Sequence, residues 1–114
     1  MITTEVKQYN NYIDGVWDDG SQDYYNNINP ATGEVLRKFP QSSPEEVRRA
    51  YLVARDAQLK WRKKSRLQRA EYMYTIAKLI EERRADLAKI ISLETGKSYN
   101  ESIAEVNEAL HMAQ

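Results

Sequence analysis

The sequence predicts a small layer of β-hairpins followed by about three amphipathic α-helices, and three observations carry that prediction. Up to Phe39 the apolar residues fall in short β-favouring runs separated by turn dipeptides. From Ser43 onward they recur at spacings of three and four, the period of a helix face. The chain has 114 residues, which suits one small domain with a modest core.

Residues 1–8 read as a tail, with neither a signal-peptide core nor an Arg-rich amphipathic pattern. Residues 9–40 read as hairpins. "YIDGVW" places Asp14-Gly15 at a first turn, and Asp19-Gly20 and Asn29-Pro30 break the runs that follow. A second pair of strands flanks "NINPATGEVL", with Tyr24, Tyr25 and Ile28 before the turn and Val35, Leu36 and Phe39 after it. Pro30 fixes φ at the first corner, and Gly33 tolerates the positive φ that closes such loops.

Residues 43–114 read as helices. In "SPEE" Ser43 is the cap, Pro44 takes the first helical position and Glu46 can reach back to the cap. Val47, Ala50, Tyr51, Ala54, Ala57 and Trp61 then share one face, which is expected to pack on another element. "SRLQ" repeats the capping pattern with Ser65 and Gln68 and opens a run through Tyr72, Met73, Ile76, Ala77 and Ile80. That run can continue or bend near "ERRAD", since Leu87, Ile90 and Ile91 restore the apolar face. Gly96 suits a helix stop because it accepts the left-handed conformation without a Cβ penalty. A third helix is expected from near Asn100, with Ile103, Val106 and Leu110 on one side. It meets no stop signal before Gln114, which is the expectation for a piece of something longer.

Seventeen basic and seventeen acidic side chains cancel, so no overall field draws the chain to nucleic acid or an anionic membrane. The absence of cysteine excludes a disulfide framework, a thiolate metal site and a thiol nucleophile within these residues. The expected compartment is the cytoplasm. Arg62, Lys63, Lys64, Arg66 and Arg69 could form a phosphate patch, but they read better as a solvated turn between helices because no aromatic platform accompanies them. His111 is the sole histidine and reads as a surface or interface side chain rather than a ligand. Trp17 and Trp61 read as core anchors, and the tyrosines, Tyr24 and Tyr25 among them, as rings buried with wet hydroxyls. No glycine-rich loop follows a strand and no Ser-His-Asp set can be assembled, so these residues by themselves carry no active site.

Taken together, "YIDGVW", "INPATGEVL", "SPEEVRRAYLVARDA", Trp61, "RAEYMYTIAKLIEERRADLAKIISLETGK" and the "EV" that follows resemble, in order and spacing, the opening of the aldehyde dehydrogenase superfamily. The pairing of "NPATGEV" with "LETGK" some sixty residues later carries most of that resemblance. It implies an α/β parent enzyme, with residues 1–114 the N-terminal part of its coenzyme-binding domain and an incomplete domain. The implied reaction is NAD(P)-dependent oxidation of an aldehyde to a carboxylic acid through a thiohemiacetal and thioester on a cysteine. The cysteine, the glutamate base, the oxyanion asparagine and the dinucleotide-binding strands all lie beyond Gln114 in the family, as do the residues that set the aldehyde and the choice of NAD or NADP. No catalytic and no cofactor-binding residue is therefore assigned here. The parent is expected to be a homo-oligomer, dimer or tetramer, with no nucleic-acid or membrane partner.

One family site maps onto this chain, a structural K⁺ or Na⁺ held by the main-chain carbonyls of Asn27 and Ile28 and the carboxylate of Glu94, with a further ligand beyond the end. Oxygen donors suit a hard cation; the competing reading makes Glu94 an ordinary helix-end carboxylate. The alternative to the enzyme segment is a stand-alone helical interaction module derived from the same family, binding a partner through its apolar helix faces.

Overall fold

The computed structural model describes residues 6–19 and 23–114. Gly20 of the expected Asp19-Gly20 break and residues 1–5 of the expected tail lie outside the described residues. The chain divides into two units, one comprising Met1–Ile28 with Gly33–Arg62 and the other Asn29–Thr32 with Lys63–Gln114.

In the first unit, β1 (Tyr12–Ile13) and β2 (Val16–Trp17) pair antiparallel with Tyr12 opposite Trp17. Their two-residue loop has positive φ at both positions, 56° at Asp14 and 75° at Gly15. That is the primed geometry whose twist matches the flanking strands, so "DG" does here what its composition predicts. The second hairpin joins β3 (Tyr24–Ile28) to β4 (Val35–Pro40), and its register slips between Asn27, which faces Arg37, and Ile28, which faces Val35. Leu36 is the extra residue of that bulge.

The expected tail of residues 1–8 needs correction at its end. Gln8 bridges Lys38 in parallel, Lys38 N donates to Lys7 O, and Tyr9 N donates to Lys38 O, both at 3.0 Å. The far edge of β4 offers backbone donors and acceptors that must find partners, and the segment before β1 supplies them. No local pattern around Gln8 encodes this, because the demand comes from a strand thirty residues away.

Helix α1 (Pro44–Trp61) starts on the predicted capping box: Ser43 N donates to Glu46 Oε2 at 2.7 Å and Glu46 N donates to Ser43 Oγ at 3.2 Å. Arg49 grips both oxygens of Asp18, at 2.6 and 2.8 Å. The expectation that the α1 stripe packs on another element is corrected, since the helix contains no buried residue and Tyr51 is 64% exposed. Trp17 is likewise not a core anchor. It is 63% exposed and leans on the Tyr12 ring at 4.9 Å between centroids. Trp61 is half-buried. Helical spacing shows which face could be buried; only a covering layer buries it.

The second unit holds α2 (Arg66–Glu82), α3 (Arg84–Thr95) and α4 (Tyr99–Ala113). With α1 this makes four helices among the described residues, where about three were expected. The bend near "ERRAD" is a break at Arg83, whose φ of −103° and ψ of 15° leave the helical region. The predicted Ser65–Gln68 box caps α2, and a third box, Ser98 with Glu101, caps α4. The interior is small: Ala77, Leu110 and Ala113 form its centre with Ile80 packed against them, and Ala88 and Val106 are also buried. Small side chains let α3 and α4 approach closely. Ser102 is completely buried between them, donating to Ser98 O at 3.0 Å and sharing a hydrogen bond with Ser92 Oγ at 2.8 Å.

The Asn29–Thr32 turn belongs to this unit. Asn29 is buried, and its side-chain oxygen accepts from Ala31 N at 2.9 Å, an Asx turn that fixes the corner. Gly96 ends α3 at φ 75°, and a Cβ placed there would sit 3.2 Å from Pro30 Cγ. The glycine therefore serves twice, by taking a left-handed conformation and by letting the turn approach. Among the described residues no helix is long and apolar enough to cross a membrane.

Candidate functional site

Asn27 and Ile28 lie at the end of β3, on either side of the register slip. Both keep partners across the slip, Arg37 and Val35, and the unpaired residue is Leu36 on β4. The Asn27 side-chain oxygen is buried without a hydrogen-bond partner, an uncommon condition for a buried acceptor. Glu94 lies in the last turn of α3, half-buried, two residues before the Gly96 stop. Among the described residues no three His, Asp or Glu side chains gather to hold a metal ion. A cation site here would thus have to draw on main-chain or amide oxygens, the donor type that Asn27 and Ile28 provide.

The corner after Glu94 is more heavily charged than its sequence suggested. Lys97 Nζ pairs with Glu105, eight residues further along in α4, and that hydrogen bond, then the Glu105 charge, raises the Lys97 ammonium above its ordinary pKa. Glu101 receives Ser98 Oγ at 2.9 Å and Ser98 N at 3.1 Å; these two bonds, side chain first, hold its carboxyl below the usual range. The box is legible in the sequence as Ser98-x-x-Glu101 and starts α4 at Tyr99, one residue before the expected Asn100. On the first unit, Tyr9 stacks on Phe39 at 5.7 Å with Lys7 Nζ 4.9 Å above its ring. A hydrogen bond from Arg37 lowers the Tyr9 phenol pKa, against a smaller opposing effect of desolvation.

The remaining candidates stay apart from any chemistry. His111 is exposed in the last turn of α4. The basic run lies at the start of α2, where Lys64 Nζ sits 5.6 Å over the Tyr72 ring. An open groove of about 310 Å³ runs between β1 and the start of α1, lined by Asn11, Tyr12, Ile13, Ser42, Glu46, Val47 and Ala50. Its polar members are already engaged: Asn11 Nδ2 donates to Ser42 Oγ at 2.8 Å, and Glu46 caps its helix. Among the described residues no strand enters a helix through a glycine-rich turn.

The chain matches the model of the aldehyde dehydrogenase family over residues 17–114. It belongs to that family. Among its aldehyde dehydrogenase relatives, it is 37% identical to malonate-semialdehyde dehydrogenase of Lacticaseibacillus casei, over 96% of this chain and 23% of that protein. It is 38% identical to malonate-semialdehyde dehydrogenase 2 of Geobacillus kaustophilus, over 99% of this chain and 24% of that protein. The structure of betaine aldehyde dehydrogenase from Staphylococcus aureus, in complex with NAD+, matches with a TM-score of 0.86 and 31% identity, over 91% of this chain and 21% of that one. The chain thus spans about a quarter of the length of the aldehyde dehydrogenases it resembles. The hairpins and helices described above are an α/β aldehyde dehydrogenase segment.

Proposed function

We propose that this chain supplies the opening segment of the coenzyme-binding domain in an NAD(P)-dependent aldehyde dehydrogenase, a cytoplasmic homo-oligomer that oxidises an aldehyde to a carboxylic acid. The observation that carries the reading is the family match across residues 17–114 together with a fold match over 91% of the chain. Within that enzyme these residues position rather than react. They hold no thiol, since the sequence has no cysteine, and their one histidine is exposed on α4. The NAD(P) cofactor would accept the electrons of the oxidation when bound by other parts of such an enzyme. The interaction-module alternative is not favoured, because the likeness follows the family over nearly the whole chain rather than one helix face.

The purified 114-residue chain should reduce neither NAD nor NADP with any aldehyde. A chimera in which this chain replaces the matching segment of the L. casei enzyme should oxidise malonate semialdehyde. A chimera that folds and assembles yet shows no turnover, or turnover that tracks the pure chain through gel filtration, would overturn the reading.

The same reading includes a structural K⁺ or Na⁺ whose proposed ligands are the Asn27 and Ile28 carbonyls and the Glu94 carboxylate. Support comes from the partnerless side-chain oxygen of Asn27 and the half-buried carboxylate of Glu94. Glu94→Gln keeps the size and removes the charge. In the chimera it should cost about 1–3 kcal/mol of cation-dependent stability while leaving turnover largely intact. Thermal midpoints measured with and without K⁺ or Na⁺ decide the matter: equal cation dependence in the variant and its parent returns Glu94 to a helix-end carboxylate.

A further inference from the structure

Asn27 is an unusual choice for its place in β3. Asparagine is depleted in strands, and strand alternation puts it on the same face as Tyr25, with Arg37 and Phe39 opposite the two of them on β4. The Tyr25 and Phe39 rings lie 6.1 Å apart between centroids. Beside these rings the Asn27 side-chain oxygen is buried and accepts no hydrogen bond among the described residues. The donor directly opposite is spent elsewhere: Arg37 donates to the phenol of Tyr9, in the segment that joins the far edge of β4. Asn29 shows the contrast, since its side-chain oxygen is taken by Ala31 N at 2.9 Å. A buried carbonyl oxygen left bare costs free energy, so its retention calls for a partner that is not a hydrogen-bond donor of this segment.

A side-chain amide oxygen is the same kind of hard, neutral ligand as a main-chain carbonyl, and alkali and alkaline-earth cations take both. We infer that the Asn27 side-chain oxygen is itself a ligand of the structural K⁺ or Na⁺, so that this residue coordinates through its side chain as well as its main chain. This rests on the cation reading proposed above. It adds a ligand that depends on residue choice, because any residue offers a main-chain carbonyl at position 27 and few offer a second oxygen. The inference also fixes a sign. With the cation bound, removing the oxygen weakens the site; without the cation, removing it relieves a buried group that has no partner. An ordinary hydrogen-bond acceptor would lose stability in both conditions alike.

The test measures thermal midpoints of the L. casei chimera across a KCl series, with choline chloride holding the ionic strength constant, and repeats the series with NaCl. Asn27→Ala should raise the half-saturating K⁺ concentration about tenfold or more, equivalent to about 1.4 kcal/mol. In choline chloride alone the same variant should melt at or above its parent. Asn27→Asp keeps the shape and an oxygen, and should hold the half-saturating K⁺ at or below the parent value. The inference is overturned if Asn27→Ala and its parent saturate at the same concentration of both cations. It is equally overturned if Asn27→Ala melts lower by the same amount in choline chloride and in KCl, or if Asn27→Asp weakens the site as much as Asn27→Ala does. Glu94→Gln shifting the saturation beside an indifferent Asn27→Ala leaves the cation site standing and removes only the side-chain ligand. A parent chimera whose midpoint ignores both K⁺ and Na⁺ removes the site and the ligand together.

Discussion

Gly96→Ala should speed hydrogen exchange of the α3 and α4 amides in the chimera by about 30- to 700-fold, a local loss of about 2–4 kcal/mol. Two costs add. A Cβ in the left-handed region is strained by about 1–2 kcal/mol, and Gly96 sits at φ 75°. The new methyl would also meet Pro30 Cγ at 3.2 Å and Ala31 Cβ at 3.8 Å. Pro30 cannot swing aside as a long flexible side chain would, because its ring is closed on the backbone and the Asn29 side chain fixes the corner through Ala31 N. The two costs are separable. Gly96→Asn tolerates the left-handed conformation better but still carries a Cβ, whereas Pro30→Ala removes the obstructing ring atom. In the Pro30→Ala background the penalty of Gly96→Ala should shrink by about 1 kcal/mol or more, a coupling that a double-mutant cycle reads directly. Strictly additive penalties would mean that the turn and the helix end do not press on one another.

Ser102→Leu should be the second large effect, at about 2–5 kcal/mol by the same exchange measurement. Ser102 has no exposed surface, and its hydroxyl is engaged by Ser98 O and Ser92 Oγ. Ala88, also with no exposed surface, lies on α3. Leucine must therefore push α3 and α4 apart or take a strained rotamer, and it strands the Ser92 hydroxyl in either case. Ser102→Ala removes the hydrogen bonds without adding volume and should cost only about 1 kcal/mol. The contrast decides the cause. Equal losses for Ala and Leu would place the importance of Ser102 in its hydroxyl alone, and the close approach of the two helices would not be the reason for a small residue there.

The helix starts were legible because capping is a local bargain between residues three apart. Ser43 with Glu46 and Ser65 with Gln68 satisfy backbone donors that every helix leaves open, whatever the chain does elsewhere. The same holds for Asp14-Gly15, whose positive φ values follow from residue type, and for Gly96 as a stop. "NPATG" and "LETGK" were legible as a pair of motifs, but that Pro30 and Gly96 touch was not, since contact between them depends on the path of sixty intervening residues.

Of the proposed cation ligands, the residue types were readable and their settings were not. The register slip at Asn27 and Ile28 comes from pairing with β4, and the buried Asn27 oxygen is a consequence of what surrounds the strand. By itself the sequence determined where α1 and α2 begin, where α3 stops, how the first hairpin turns and which family the order of motifs suggests, all properties encoded within a few residues or in their succession. Tertiary structure alone decided burial: Trp17 and, on α1, Val47 and Tyr51 stay open, Ser102 is sealed, and residues 7–9 join the edge of β4. The reason is that periodicity and propensity describe what a face could do, while burial is set by whichever distant element arrives to cover it.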